Sequence, residues 1–189
     1  MRILIAIISC HKHRSRNQIQ RDAWISKARG MDVRFFLGRG SHDSLPDETC
    51  LDVDDGYDAL PSKVQRMIQW ALAKGYQKVC KIDSDIVEFY PDRLLAVVPQ
   101  EDYVGFVNNS VVPYCSGFCY VLSERAMRIV ADAEIPEGEL AEDRFVGGAL
   151  NKAGIHPYPD PRFIYFKPPV WQLTCPPESA IAICDCSEN

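Results

Sequence analysis

The run Ile3-Leu4-Ile5-Ala6-Ile7-Ile8 contains no polar position, which predicts a strand buried on both faces, as parallel strands covered by helices are. Helical spacing follows from Ser15 to Lys27, with Ile19, Ala23 and Trp24 expected to face inward and Gly30 to stop the helix. Val33-Arg34-Phe35-Phe36-Leu37 reads as a second strand ending at Gly38, so strand, helix and strand begin an α/β layer. Residues 39–58 are polar and turn-rich, with a short strand expected around Cys50 to Val53. The strongest period comes next. Val64, Met67, Ile68, Ala71 and Leu72 recur at i, i+3, i+4, i+7 and i+8, between Pro61-Ser62 and Gly75, and predict an amphipathic helix. Lys78-Val79-Cys80-Lys81-Ile82 then forms a short strand that delivers Asp83-Ser84-Asp85 at its C-terminal end, where ligands of open α/β sheets gather.

Further along, the pattern predicts a short helix over 91–97 and strands over 103–107 and 118–122. A helix runs from the N-cap Ser123 to about Asp132, a loop covers Ile135 to Ala141, and a helix covers Glu142 to Ala153. From about residue 160 the chain is rich in Pro and aromatics without a regular period, and reads as a tail wrapping a single domain that spans 1–189. A length of 189 residues, 47% of them apolar, suits one domain with its own core.

Charge excludes some partners. A formal net charge of −5 with interspersed signs leaves no footprint for nucleic acid or an anionic membrane, although local Arg and Lys residues or a bound cation suit a phosphate-bearing small ligand. No window approaches the roughly 20 apolar residues of a membrane span, and the first strand lacks a small-residue cleavage site, so a cytoplasmic protein without a membrane anchor is expected. The eight cysteines are scattered, which favours reduced thiols, and Cys184-x-Cys186 has no second pair to complete a zinc site.

Asp83-Ser84-Asp85 is the clearest candidate for chemistry. Two carboxylates flanking one residue after a hydrophobic strand supply hard oxygen ligands for Mg²⁺ or Mn²⁺, although a solvated turn has the same composition. Glu142-Asp143 opens a helix, where acids complement the helix dipole; the chemical reading makes Asp143 a general base for an acceptor hydroxyl. Tyr114-Cys115-Ser116-Gly117-Phe118-Cys119-Tyr120 places a glycine where a sugar could approach backbone, or is simply a turn entering a strand with Cys115 and Cys119 as buried thiols. Arg14, Arg16 and Arg21 suit phosphates as well as a solvated helix face, and His11, His13, His42 and His156 are too dispersed to define a site.

Taken in order, these pieces resemble the beta-1,3-galactosyltransferase and Fringe superfamily over residues 3–155. Arg16-(x)4-Arg21-Asp22-Ala23-Trp24 is similar to its RR-x-x-IR-x-TW segment, and Phe35-Phe36-Leu37-Gly38 to FLLG. Asp55-Gly56-Tyr57-(x)2-Leu60-(x)2-Lys63 is similar to DSY-x-NL-x-x-K, and Lys81-Ile82-Asp83-Ser84-Asp85 to K-x-DDD. Tyr114-Cys115-Ser116-Gly117 with Tyr120-Val121-Leu122-Ser123 is similar to YCSG-x-x-YVLS, and Glu142-Asp143-(x)-Phe145-Val146-Gly147 to ED-V-x-VG. The resemblance implies a GT-A-like nucleotide-diphospho-sugar transferase fold with a mostly parallel central sheet flanked by helices. It further implies a UDP-sugar donor, a glycan acceptor, Mn²⁺ (or Mg²⁺) and inversion at the anomeric carbon. Asp83 and Asp85 become metal ligands, with His156 as the downstream histidine that completes them, and Asp143 becomes the base. Ser9, Arg14, Arg16, Asp55, Lys63 and Ser84 fall beside the donor, and Ser116, Gly117 and Glu142 beside the acceptor or sugar. The departures are Ser84 in place of the middle acid, and a first strand where the family carries an anchor and luminal stem, which points to a microbial or viral catalytic module; the tail at Ser187-Glu188-Asn189 permits one domain of a longer polypeptide.

Two other readings stand beside this one. A non-catalytic nucleotide-sugar or glycan-binding module fits the same fold, because fold does not fix activity. A metal-dependent phosphatase would need a nucleophilic Asp near the first strand, and Ser9-Cys10-His11 supplies none.

Overall fold

The structure, a computed structural model, describes residues 1–40, 44–86, 88–96, 100–166 and 179–185. His42, Cys186 and most of the proline-rich tail lie outside the described residues. The central sheet contains, in spatial order, β3 (Glu48–Cys50), β2 (Asp32–Leu37), β1 (Ile3–Ile8), β4 (Lys78–Asp83), β7 (Tyr114–Ser123), β6 (Tyr103–Asn108) and β8 (Tyr158–Pro159). Pairings β3/β2, β2/β1, β1/β4 and β6/β8 are parallel, whereas β7 runs antiparallel to both β4 and β6. The helices are α1 (Arg14–Ala23), α2 (Leu60–Ala73), α3 (Pro91–Ala96), α4 (Glu124–Asp132) and α5 (Glu142–Lys152).

Every residue of β1 is buried, and strand alternation sends its side chains into two different cores. Leu4, Ala6 and Ile8 join Val64, Met67 and Ile68 of α2, Met127 and Val130 of α4, and Phe145 and Val146 of α5. Ile5 and Ile7 meet Trp24, Phe35, Phe89 and Phe163 on the other face. Each fully buried aliphatic or aromatic side chain contributes roughly 1.5–3 kcal/mol, so the two cores together fix the place of β1 at the centre. The predicted α2 period holds: Val64, Met67, Ile68 and Ala71 are fully buried, Pro61 occupies the first turn, and Gly75 at φ +75° ends the helix. Ser123 caps α4 by accepting from the Ala126 N–H at 3.2 Å.

Four expectations change. The helix predicted to Lys27 stops at Ala23, a 3-10 turn follows over Ile25–Lys27, and Ile19 is exposed while Asn17 and Gln20 are the buried side chains of α1. The short strand around Cys50 lies earlier, at Glu48–Cys50, because it is the backbone of Phe35 to Leu37 that selects its register. The segment from Tyr114 is strand rather than an entering turn, since β6 pairs with it from Tyr114 onward. Finally, part of the supposed patternless tail forms a second sheet, β5-β10-β9, from β5 (Glu88–Phe89), β10 (Ala182–Asp185) and β9 (Phe163–Phe166). Its strands are too short for a visible period and depend on partners distant in sequence. The described cysteines Cys10, Cys50, Cys80, Cys115, Cys119 and Cys184 are free thiols. Among the described residues no helix is long and apolar enough to cross a membrane.

Candidate functional site

The connection from β1 through α1 leads to β2 and then β3 on one side, after which α2 carries the chain back across β1 to β4 on the other. The point between β1 and β4 where this order reverses leaves a crevice beyond the carboxyl ends of the strands. A cleft of about 260 Å³ occupies that place. One wall holds Ile8, Ser9, Cys10, His13 and Arg16, from the end of β1 into α1; a second holds Asp55, Gly56, Tyr57, Leu60 and Lys63; the third is Asp83, Ser84 and Asp85. Other clefts, of about 350 Å³ between α4 and α5 and about 540 Å³ around Trp70 and Tyr76, contain none of the predicted residues.

Asp55 and Lys63 brace the cleft from within. The Asp55 carboxylate accepts the N–H of His11 and of Gly38, each at 2.6 Å, and the Lys63 ammonium at 2.9 Å. Lys63 is buried and also donates to the Ser9 carbonyl at 2.9 Å. Burial alone would raise the Asp55 carboxyl, but the His11 amide, Lys63 and the Gly38 amide together hold it below the ordinary carboxylate range. Gly38 is required there because a Cβ would lie 2.6 Å from the Asp54 carbonyl oxygen.

Asp83 and Lys81 share one face of β4, two residues apart. Lys81 Nζ donates to Asp83 Oδ1 at 2.7 Å, to Glu142 Oε1 at 2.5 Å and to the Gly117 carbonyl. Glu142 Oε2 accepts the Tyr120 hydroxyl at 2.8 Å. This buried network fastens β4, β7 and α5 together. Burial is the main cause that raises the Asp83 carboxyl; Asp85 and Asp143 add to it and Lys81 opposes it. Glu142 is pushed up to about 7, again chiefly by burial and against Lys81. This part of the site therefore concentrates carboxylates around the buried Lys81 ammonium.

Ala141 is the N-cap of α5 and makes no side-chain cap bond. Instead Glu142 turns inward to Lys81, and Asp143 Oδ2 accepts the Gly117 N–H at 3.0 Å while Oδ1 accepts the Arg144 N–H at 2.8 Å. Gly117 brings β7 against these acids, since a Cβ would sit 2.6 Å from Glu142 Oε1 and 3.5 Å from Asp143 Oδ2. Ser116 precedes it, half-buried in β7.

Of the predicted positions, Ser9, Arg16, Asp55, Lys63, Asp83, Ser84 and Asp85 line the cleft; Gly117, Glu142 and Asp143 lie outside its lining and are joined to Asp83 through Lys81 and Gly117, with Ser116 their neighbour in β7, while Arg14 and His156 do neither. Arg14 is directed at Glu48, 2.9 Å away, where Arg21 also binds, rather than lining the cleft. His156 lies beyond the C-terminal end of α5, with Nδ1 2.8 Å from Asn151 Oδ1. A helix of this length separates its ends by about 15 Å at 1.5 Å per residue, so His156 is not brought to Asp83 and Asp85. Among the described residues no group of three or more His, Cys, Asp or Glu is disposed to hold a metal ion. Cys10 and His13 also line the cleft, within the Ser9–Arg14 segment that the resemblance sets toward the nucleotide, whereas sequence reasoning gave no role to Tyr57, which lines it too, or to Lys81, Asn17 or Gln20. A lysine inside an apolar strand was the available signal for Lys81. Burial first, then Arg16 and Lys12, lower the His13 pKa, against Asp85 and Asp55.

The mixed α/β fold is shared with solved structures of the GT-A, nucleotide-diphospho-sugar transferase type. A glycosyltransferase involved in the glycosylation of the major capsid of PBCV-1 superposes with a TM-score of 0.63 at 14% identity, covering 100% of this chain and 95% of that one. A protein assigned as a nucleotide-diphospho-sugar transferase from Desulfovibrio desulfuricans G20 superposes with a TM-score of 0.53 at 15% identity, covering 85% of this chain and 81% of the other. No protein-family model matches the sequence, and no curated protein matches it.

Proposed function

We propose that this chain is a metal-dependent, inverting glycosyltransferase that moves a hexose from a UDP-sugar or related nucleotide-sugar to a hydroxyl of a glycan acceptor. One observation carries the reading: Asp83 and Asp85 stand at a switch-point cleft of a nucleotide-sugar transferase fold, beside Arg16. Neither the Asp85 nor the Arg16 side chain has a hydrogen bond or ion pair among the described residues, so each is free to meet a ligand.

The acids suit Mn²⁺ or Mg²⁺, hard cations that take oxygen ligands, keep several waters and are completed by substrate phosphates rather than by a protein cage. Burial first, and then the neighbouring Asp85 and Asp143, raise the Asp83 carboxyl, and a cation held between Asp83 and Asp85 would offset the part that those neighbours add. When bound, the ion would neutralise the diphosphate and ease its departure.

The chain's own groups supply the remaining steps. Arg16 faces the diphosphate as a charge-assisted donor, and the exposed Tyr57 ring offers a face to the base. Ser9 and Ser84 close the cleft around the donor, while Asp55 and Lys63 keep its wall in place. Asp143 removes the proton of the acceptor hydroxyl. The amides of Gly117 and Arg144 orient its carboxylate and leave lone pairs for that proton. Attack with a single base and no covalent intermediate inverts the anomeric carbon, the geometry of single displacement. Ser116, Gly117 and Glu142 form the adjoining sugar side.

The test is a calorimetric titration with UDP-glucose, UDP-galactose and UDP-N-acetylglucosamine, each with Mn²⁺ and with chelator. Metal-dependent binding that Asp85→Ala removes is the expected result. No binding to any of the three would overturn the proposed donor, and binding without transfer or hydrolysis would make the chain a binding module.

A further inference from the structure

The inner face of α1 is polar where an apolar face would be the default. Asn17 and Gln20 are both fully buried, three residues apart and so about 4.5 Å along the helix axis. Each reaches a different wall of the cleft. Asn17 Oδ1 accepts the Ser9 hydroxyl at 2.6 Å, at the end of β1. Gln20 Nε2 donates to the carbonyl of Asp83 at 3.1 Å and to that of Ile86 at 2.9 Å. These are the two ends of the turn whose middle residues are Ser84 and Asp85. The turn's own bond, from the Ile86 N–H to the Asp83 carbonyl, is 3.3 Å long, so Gln20 supplies the shorter of the contacts that define its shape.

This arrangement has a cost. Asn17 Nδ2 and Gln20 Oε1 are buried without a hydrogen-bond partner among the described residues. A buried amide atom left unpaired is unfavourable, and a Leu or Met would fill the same space without it. We infer that Asn17 and Gln20 are positioning residues that set the two walls of the cleft in register, with Gln20 holding the Asp83–Ile86 turn in the form that receives a cation and diphosphate. The second half of this inference rests on the nucleotide-sugar reading of the cleft; the first half does not.

The test is Gln20→Met, which keeps length and apolar packing but removes both donated hydrogen bonds. The thermal midpoint is expected to stay near that of the parent chain. Amide hydrogen exchange across residues 84–86 is expected to accelerate in the absence of any ligand. The Mn²⁺ dissociation constant, read from the EPR signal of free Mn²⁺, and the KM for the UDP-sugar are expected to rise about 10–100-fold, the range for residues that orient metal ligands, while kcat at saturation changes far less. A merely structural role would not split KM from kcat in this way. Unchanged exchange over the turn, or unchanged Mn²⁺ affinity in a chain that binds Mn²⁺, would overturn the inference. If the parent chain binds no nucleotide-sugar and no Mn²⁺, the proposed function fails separately, and the exchange rates alone decide whether Gln20 shapes the turn. Should Gln20→Met not fold, Gln20→Glu keeps the shape and, held neutral by burial against two carbonyl oxygens, donates one hydrogen bond instead of two; smaller changes in the same direction are expected, and unchanged exchange over the turn would overturn the inference.

Discussion

Replacing Lys81 with Met removes one positive charge from the middle of the site and little volume. Its ammonium is buried within 2.5 Å of Glu142 and 2.7 Å of Asp83, so the loss is electrostatic rather than a cavity. Removing one partner of a buried pair costs about 3–5 kcal/mol when the other must stay charged. Glu142, however, can escape by taking up a proton. Burial already pushes it up to about 7 with Lys81 present, from an ordinary value of 4.5, and without Lys81 it must rise further. A carboxyl raised in the folded state makes stability fall as pH climbs from its unfolded value to its folded one. In the parent chain that fall ends near pH 7, whereas in Lys81→Met it continues above it, by about 1.4 kcal/mol per pH unit. The variant should therefore lose about 1–2 kcal/mol in acid, where only hydrogen bonds are missing. The loss should approach the full 3–5 kcal/mol, roughly, in mild alkali. Urea denaturation followed by circular dichroism at about pH 5.5 and about pH 8.5 measures both, and adding Glu142→Gln should restore much of the alkaline loss. A loss equal at the two pH values would refute the reasoning, because Glu142 would then not be the group left uncompensated.

Asp143→Asn should lower transfer by about 10²–10⁴-fold with donor affinity nearly unchanged, measured as product formation beside calorimetric binding; near-normal turnover would remove Asp143 from the mechanism. Gly117→Ala places a Cβ 2.6 Å from Glu142 Oε1, and thermal denaturation should show a loss of about 1–3 kcal/mol unless Glu142 can swing aside. Ser123→Ala removes the cap of α4 and its 2.5 Å bond to Asp102, and should cost about 1 kcal/mol in denaturant titrations, with no effect on donor binding.

Several parts of the site were legible before the fold. An uninterrupted apolar run could only be a strand covered on both sides, and the spacing of Val64, Met67, Ile68 and Ala71 could only bury one helical face. Asp83 and Asp85 at the end of a strand were visible as a pair because neighbouring residues carry their geometry in the sequence. Trp24 was rightly placed inward, yet α1 was turned the wrong way: Ile19 was set against the core and is exposed. Hydrophobic period assumes that apolar side chains leave water first. That assumption fails where a buried amide has partners on two distant loops, as Gln20 does.

The sequence by itself determined the α/β class, the central β1, the long α2 and the carboxylates at the end of β4, since each follows from which neighbouring side chains leave water. Only the tertiary structure decided that Asp55 is spent on His11, Gly38 and Lys63, that Lys81 joins Glu142 across 61 residues, and that His156 stays at the far end of α5. It also decided that the tail residues Ala182–Asp185 complete a second sheet with Glu88–Phe89 and Phe163–Phe166. The physical reason is the same in each case. Burial of apolar groups is additive and local enough to read along a chain, whereas a polar group's role depends on which partner a distant segment brings within hydrogen-bond reach.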